Sequence, residues 1–380
     1  MPDSPETSPP LPFFGLTPEQ VRSAVEARGW PKFRAGQLLD WAYRKLVTDP
    51  NAMTNLPRAE RGDIGQLFIF TQGQVVRQQE STDGTFKLLL SYPQGASAEA
   101  VMIPDADRRT ACISSQVGCP VGCKFCASGL EGLKGNLSAA QIVEQVYWLN
   151  RLMGEHAGGT TAPTADRRPT DVPRITNIVF MGMGEPLSNY ANVIQAVRLL
   201  HDPACFNLGA RRITISTVGV PPRIRQLAEE KLPLNLALSL HAPTESLRRE
   251  LIPWASHFSL DDILDACRYY FDRTGREITL EYILLSGVND RPEHARQLAR
   301  LCRTLRANVN LIRYNEVETL PFKRPVSADV MTFQKILRDA GVNAHVRKSR
   351  GRDIDAACGQ LRRREARERL LSLRVGASDQ

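Results

Sequence analysis

Gly118-Cys119-Pro120-Val121-Gly122-Cys123-Lys124-Phe125-Cys126 sets three cysteines in the spacing CxxxCxxC. Three thiolates on one short loop can each hold one iron of a 4Fe–4S cluster, which leaves the fourth iron without a protein ligand. A small molecule can bind that iron and receive an electron. A structural zinc site is the competing reading. Zinc usually takes a closed set of four ligands, commonly as two CxxC-type pairs. The sequence contains no second pair. The loop therefore favours an iron–sulfur centre, with Cys119, Cys123 and Cys126 as its ligands.

Around this loop the chain alternates between strand and helix patterns. Strands are predicted at Thr110–Ser114, Ile175–Met181, Arg212–Ser216, Asn235–Leu240, Glu277–Leu284 and Asn308–Arg313. Helices are predicted at Ser138–Met153, Ala191–His201, Pro222–Glu230, Leu260–Thr274, Pro292–Arg306 and Ala328–Ala340. Parallel neighbours need helical crossovers, so this rhythm implies a parallel sheet. A full eightfold barrel typically needs about 250 residues. Residues 98–345 therefore suit an α/β fold, a partial (βα)6 TIM-like barrel whose open side admits a large substrate. Gly154–Pro173, rich in Gly, Thr and Pro, breaks the rhythm and reads as a surface insertion.

Upstream the pattern differs. The Pro- and Ser-rich residues 1–14 are expected to be disordered. Thr17-Pro18-Glu19-Gln20 reads as a helix start, and that helix should end at Gly29. A second apolar-periodic stretch covers Arg34–Val47. Alternation between Phe68 and Tyr92, with turn signals at Gly73 and Asp83-Gly84, predicts two or three short antiparallel strands. Residues 15–97 thus form a small N-terminal α+β accessory domain, with a boundary near Ser97. Residues 346–380 form a basic C-terminal segment, with ten Lys/Arg against five Asp/Glu from His345 onward.

The 380 residues are 42% hydrophobic and 24% charged, an ordinary globular balance. The net charge of +8 suits an anionic partner such as nucleic acid. A solvated final helix explains the basic tail equally well. Eight cysteines in so long a chain, three of them in ligand spacing, do not make a secreted disulfide framework. No apolar run approaches the roughly 18 residues of a membrane span, and the N-terminus lacks a basic-then-apolar signal. The expectation is a cytoplasmic chain with no membrane contact, a monomer by default.

Other residues at predicted strand ends carry weaker signals. In Phe180-Met181-Gly182-Met183-Gly184-Glu185-Pro186 the glycines permit close backbone approach to a ligand, and Glu185 could receive a ligand ammonium. Ser216 ends one strand and Ser239-Leu240-His241 another. Both could bind ribose hydroxyls or a carboxylate, although helix capping explains their spacing better. Asn315 follows the sixth strand and could equally serve a turn. Cys205, Cys267 and Cys302 lie in apolar surroundings and read as packing residues.

Taken together, these features resemble one family. CxxxCxxC, Gly182-Met183-Gly184-Glu185-Pro186, Ser239-Leu240-His241-Ala242 and Arg350-Gly351-Arg352-Asp353-Ile354-Asp355-Ala356-Ala357-Cys358-Gly359-Gln360-Leu361 are similar to the motifs of the RlmN/Cfr radical S-adenosylmethionine (SAM) RNA methyltransferases. The resemblance runs from about Gly15 to just past Cys358. It implies a 4Fe–4S cluster on the three loop cysteines and SAM at its open iron. Gly184, Glu185, Ser216, Ser239, Leu240, His241 and Asn315 would bind SAM. It implies methylation of an adenine carbon in 23S rRNA and in tRNA, fed by an electron donor such as a flavodoxin. The N-terminal domain would bind RNA.

An amidine carbon is too electron-poor to attack the SAM methyl group directly. The resemblance therefore assigns Cys358 as a methyl carrier, whose thiolate takes a methyl from one SAM. A second SAM yields a 5′-deoxyadenosyl radical, which abstracts hydrogen from the S-methyl group so that the carbon adds to adenine. Glu99 would accept the proton, and Cys112 would form a disulfide with Cys358 to release product. From the residues alone, Glu99 reads as a solvated strand residue and Cys112 as a core cysteine. Carbon 2 is the expected target, and Cfr-type methylation of carbon 8 is the alternative. A different radical-SAM enzyme would not need Cys358, and a zinc-containing RNA-binding module would need no iron.

Overall fold

The computed structural model describes residues 9–156 and 173–354. Cys358, the basic tail and most of the 154–173 insertion lie outside the described residues.

The chain opens with Thr17 capping helix α1 (Pro18–Ala27) in a reciprocal box. Gln20 N–H donates to Thr17 Oγ1 at 3.2 Å, and Thr17 N–H donates to Gln20 Oε1 at 2.9 Å. Pro18 suits the first helical position, where its missing N–H costs nothing. Gly29 follows with φ +75°. Helix α2 (Phe33–Leu39) then runs into a π-helical turn, Asp40–Arg44, which buries Trp41, Ala42 and Tyr43. The apolar-periodic stretch of 34–47 is helical as far as Arg44, its second part wound as the π turn. Helix α3 (Arg58–Leu67) was not anticipated, because Gly62 and Gly65 weaken its helical signal.

An aromatic box holds this unit to the rest. Phe13 and Phe14 are buried, and Phe14 meets Tyr43 edge-on at 5.3 Å and Tyr147 at 5.0 Å between centroids. Tyr147 belongs to helix α4 (Ala139–His156). Buried Glu144 on the same helix accepts the backbone N–H groups of Gln72 (3.1 Å) and Gly73 (2.9 Å) and the Trp148 indole N–H (3.1 Å).

Ten strands form one sheet in sequential order. They are β1 (Gln74–Glu80), β2 (Phe86–Ser91), β3 (Ser97–Asp105), β4 (Arg108–Cys112), β5 (Asn177–Phe180), β6 (Ile213–Thr217), β7 (Asn235–Ser239), β8 (Ile278–Leu284), β9 (Ala307–Arg313) and β10 (Ala344–Val346). Strands β1 to β4 pair antiparallel, and β4 to β10 pair parallel. The six expected parallel strands are all present, within a few residues of their predicted limits. β10 adds a seventh, too short at three residues to show a period.

The sheet does not stop near Ser97. β3 begins there and pairs with β2 on one side and β4 on the other. The crossover helices are α4, α5 (Tyr190–His201), α6 (Pro221–Ala228), α8 (Leu260–Thr274), α9 (Pro292–Cys302) and α10 (Ser327–Asp339). The short helix α7 (Glu245–Leu251) lies in the stretch after β7. Residues from β2 through β9 line a single cavity, so the sheet wraps around it as a partial barrel. Cys205, Cys267 and Cys302 are buried in the apolar core, as their surroundings implied. Among the described residues no helix is long and apolar enough to cross a membrane.

Deleting the Phe14 ring should cost about 3–5 kcal/mol, the usual range for a buried aromatic. The Phe14→Ala variant should show this as a lower denaturant midpoint at an unchanged slope. A midpoint equal to wild type would show that the aromatic box does not secure the N-terminal unit.

Candidate active site

The cavity has a volume of about 330 Å³, within the usual range of small-molecule sites. It sits at the carboxyl ends of the parallel strands, where such folds bind ligands.

One wall is the cysteine loop. Two short antiparallel strands, Gln116–Gly118 and Leu133–Asn136, close its base. Gly118 has φ +75°, and a Cβ there would lie 2.0 Å from the Gly132 carbonyl oxygen. Inside the loop, Cys126 N–H donates to Cys123 O at 3.1 Å, and Lys124 N–H reaches Leu251 O at 3.0 Å. Cys119, Cys123 and Cys126 all line the cavity and pack on an apolar floor that includes Val121, Phe125, Leu251 and Ile252. Burial pushes the Cys119 thiol up to about 12, and burial together with Cys126 and Cys119 also pushes Cys123 up. Such thiols ionise readily only when a cation neutralises them. Soft thiolates on a dry floor suit iron of an iron–sulfur cluster.

The second wall is the glycine turn after β5. Ser114 to Gln116 pin it. Ser114 Oγ donates to Glu99 O at 2.7 Å and accepts Met183 N–H at 2.9 Å. Gln116 Oε1 accepts Glu185 N–H at 2.8 Å. Gln145 on α4 holds both the N–H (2.8 Å) and the carbonyl (2.9 Å) of Ser114. Gly184 has φ +104°, and a Cβ would fall 2.6 Å from that of Gln116.

Glu185 is buried, and its carboxylate accepts N–H groups from Leu187 (3.0 Å) and Val218 (2.8 Å). Burial raises its pKa to about 7 against those two bonds. An ammonium group arriving beside it would favour the ionised form.

The remaining expected residues divide. Ser216 and Ser239 line the cavity and lie 3.2 Å apart, oxygen to oxygen. His241 lines it too, with φ +58° and its ring edge-on to Phe125 at 5.0 Å. Its Nδ1 accepts Ile283 N–H at 3.1 Å, so in the neutral ring the proton sits on Nε2. Burial and Arg248 depress its pKa to about 3. Asn315 lines the mouth, where its Oδ1 accepts Arg324 Nη1 at 2.9 Å.

Leu240 is placed differently from its neighbours in the motif. Its side chain is fully buried in the core cluster, away from the cavity. Its backbone N–H and carbonyl serve Glu281 O and Arg248 Nε. Alternation along β7 turns Leu240 away from the face that Ser239 shows.

Glu99 and Cys112 share the cavity wall. Cys112 stands opposite Val101 across the β3–β4 ladder, and Glu99 is two residues from Val101 on the same face. That diagonal is about 7–8 Å between Cα atoms. Glu99 is buried, contrary to its reading as a solvated residue, and Cys112 is buried beside it.

Sequence reasoning missed four contributors. Lys87 on β2 is buried on the cavity wall, opposite Val101. A lone charge within Phe86-Lys87-Leu88-Leu89 was the available signal. Glu281 on β8 lines the cavity and accepts Asn310 Nδ2 at 2.9 Å. Asn289 is fully buried, donating to His241 O (2.8 Å) and Ile283 O (2.7 Å) and accepting Leu285 N–H (2.7 Å).

Arg248 is also buried, its guanidinium given to the carbonyls of Val218, Ser239 and Leu240. Burial lowers its pKa to about 10, so it stays charged at neutral pH, and Cys123 is the first of the neighbours opposing that shift. It supplies a fixed positive charge beneath the thiols. At the mouth, Arg313, Arg347, Lys348 and Arg350 form a basic rim.

Gly184→Ala should force the turn away from Gln116. Strain of about 1–3 kcal/mol corresponds to about tenfold or more in affinity. SAM titration by calorimetry should show that loss while iron content stays at the wild-type level. Unchanged affinity would remove the turn from the cofactor site.

Comparison with known proteins gives this geometry a context. Residues 12–69 match the ribosomal RNA large subunit methyltransferase N-terminal domain, and residues 170–299 match the radical SAM superfamily. The chain is 43% identical over 353 residues to a probable dual-specificity RNA methyltransferase RlmN of Gloeobacter violaceus, covering 93% of this chain and 95% of that one. A protein of the same name from Symbiobacterium thermophilum is 44% identical over 363 residues, covering 95% and 93%. The crystal structure of a radical SAM methyltransferase from Sphaerobacter thermophilus superposes with a TM-score of 0.86 at 43% identity, over 92% of this chain and 99% of that one. With likeness of this extent at both ends of the chain and around the cavity, the protein belongs to the RlmN family of radical-SAM RNA methyltransferases.

Proposed function

We propose that this enzyme methylates carbon 2 of adenine in 23S rRNA and in tRNA, with Cys358 as the methyl carrier. The observation that supports this most is the shared wall of Glu99 and Cys112, facing the same cavity as the three loop cysteines. A methyltransferase that passed its methyl group straight from SAM to substrate would need neither a buried carboxylate nor a cysteine there.

The residues present fit a 4Fe–4S cluster and SAM. Three thiol donors face the cavity, the glycine turn leaves room for close backbone approach, and Ser128 Oγ is buried in the wall without a hydrogen-bond partner. Cys119, Cys123 and Cys126 would hold the cluster. Gly184, Glu185, Ser216, Ser239, His241 and Asn315 would surround SAM. When bound, these cofactors supply the carbon-centred radical chemistry that an unactivated aromatic carbon requires.

The chain's own groups do the rest. The Cys358 thiolate accepts and presents the methyl group. The Glu99 carboxylate takes the proton from the substituted adenine carbon, and its burial keeps water from competing for that task. The Cys112 thiolate then attacks the Cys358 sulfur: the S–S bond forms as the sulfur–methylene bond breaks, its electron pair passes to the methylene carbon, and that carbon takes a proton to leave as the methyl group on adenine. Arg313, Arg347, Lys348 and Arg350 meet RNA phosphates at the mouth. The N-terminal unit of residues 15–97 adds RNA contacts. A flavodoxin-type donor, a monomeric state and a cytoplasmic location complete the reading.

Cys358→Ala should retain iron and SAM cleavage but lose RNA methylation, as scored by mass spectrometry of the target RNA. Full methylation by that variant refutes the carrier. Cys112→Ala should accumulate protein crosslinked to RNA on denaturing gels, and a clean gel removes Cys112 from the resolving role. In the wild-type digest the new methyl group should map to carbon 2. Modification at carbon 8 alone overturns the assigned position.

A further inference from the structure

The turn between β1 and β2, Ser81-Thr82-Asp83-Gly84-Thr85, is the docking point of the chain that leads toward Cys358. The turn is tight in itself. Ser81 N–H donates to Thr85 O at 2.8 Å, and Gly84 N–H donates to Ser81 O at 3.0 Å. Residues 350–353 lie against it through reciprocal contacts. Asp353 Oδ1 accepts Ser81 Oγ–H at 2.5 Å, and its Oδ2 accepts Thr82 N–H at 3.0 Å. In return, Asp83 Oδ2 accepts Gly351 N–H at 2.9 Å. Arg350 Nη2 meets Asp105 Oδ1 on β3 at 3.3 Å. Gly351 holds φ +61° and is buried, as is Ile354.

This arrangement exceeds what the turn needs for its own fold. Asp83 already caps the turn by accepting Thr85 N–H at 3.0 Å through Oδ1. Its second oxygen is given to the C-terminal segment. Burial acts to raise the Asp83 carboxyl, yet the N–H groups of Gly351 and Thr85 outweigh it and hold the group at about 2. The segment just upstream, from Arg347 to Arg350, lines the cavity. Downstream, Cys358 is the fourth residue after Ile354. Four residues span at most about 14 Å when fully extended. The crossed aspartates therefore fix the origin of a short tether whose reach is comparable with the cavity.

We propose that Asp83 and Asp353 are positioning residues, a crossed carboxylate clasp that anchors the Cys358 segment to the β1–β2 turn and so delivers its thiol to Cys112. This rests on the carrier reading above. Neither aspartate touches substrate or cofactor. Their contribution is to raise the effective concentration of one thiol at the other.

The test compares wild type, the Asp83→Ala/Asp353→Ala pair and the Asp83→Asn/Asp353→Asn pair. At Asp353, asparagine keeps the oxygen that accepts Thr82 N–H; at Asp83 it keeps one acceptor for the two N–H groups of Thr85 and Gly351, so the pair retains part of the clasp. The first readout uses full-length protein without cluster and follows diamide-driven formation of the Cys112–Cys358 disulfide by peptide mass spectrometry. The second measures kcat and KM for RNA methylation in the reconstituted enzyme. The alanine pair should slow the disulfide by about tenfold and lower kcat by a similar factor, with KM for RNA little changed. The asparagine pair should fall between the alanine pair and wild type in both readouts. An alanine pair with the wild-type disulfide rate overturns the clasp, as does an asparagine pair as slow as the alanine pair. The two readings fail separately. If Cys358→Ala still methylates RNA, the carrier falls, while the disulfide rate continues to report on the clasp.

Discussion

Two stretches of backbone pass so close that no side chain fits between them, and the site depends on that approach. The chain leaving β4 and the turn leaving β5 are stitched by Ser114, Ser115 and Gln116 to Met183 and Glu185. A Cβ on Gly182 would lie 2.7 Å from the Ile113 carbonyl oxygen, and one on Gly184 would collide with Gln116. Glycine is the residue that allows this contact. Through it, the loop that offers three thiols is set in register with the turn that offers Glu185. The sheet then sets the distance of every other strand-borne group from these two.

Around that contact the protein buries charge where buried charge is costly. The Arg248 guanidinium donates to the backbone carbonyls of Val218, Ser239 and Leu240, and Glu185 is held by backbone N–H groups. The Val218 peptide links them, giving its N–H to Glu185 and its carbonyl to Arg248. Neutral dipoles can stabilise an ion without cancelling its charge. A site built in this way keeps its electrostatic capacity for anionic thiolates and for a cationic amino group. It also stays ordered before either ligand arrives.

Much of this was readable along the chain. The cysteine spacing and the glycine turn are local signals, and each lies on the cavity wall. The parallel strands were legible because buried strands read as short apolar runs between helical periods. The failures share one cause, which is that the partner is remote in sequence. Asn289 braces His241 from 48 residues away. Arg248 lies in a short helix, Glu245–Leu251, in which four of seven residues are charged, so nothing local marks it out. Glu99 and Cys112 had no signal of their own, and only the resemblance singled them out. Leu240 packs its side chain in the core between two motif neighbours that line the cavity. Ser97 reads as a boundary because composition changes there, although the hydrogen-bonded ladder does not.

That unbroken ladder has a mechanical consequence. Strands in a sheet keep a spacing of about 4.8 Å and resist sliding past one another. The β1–β2 hairpin, two rungs from Cys112, therefore cannot swing like a domain on a flexible linker. It behaves as a fixed jig, and whatever rests on it inherits an address measured in strand widths from the reacting centre.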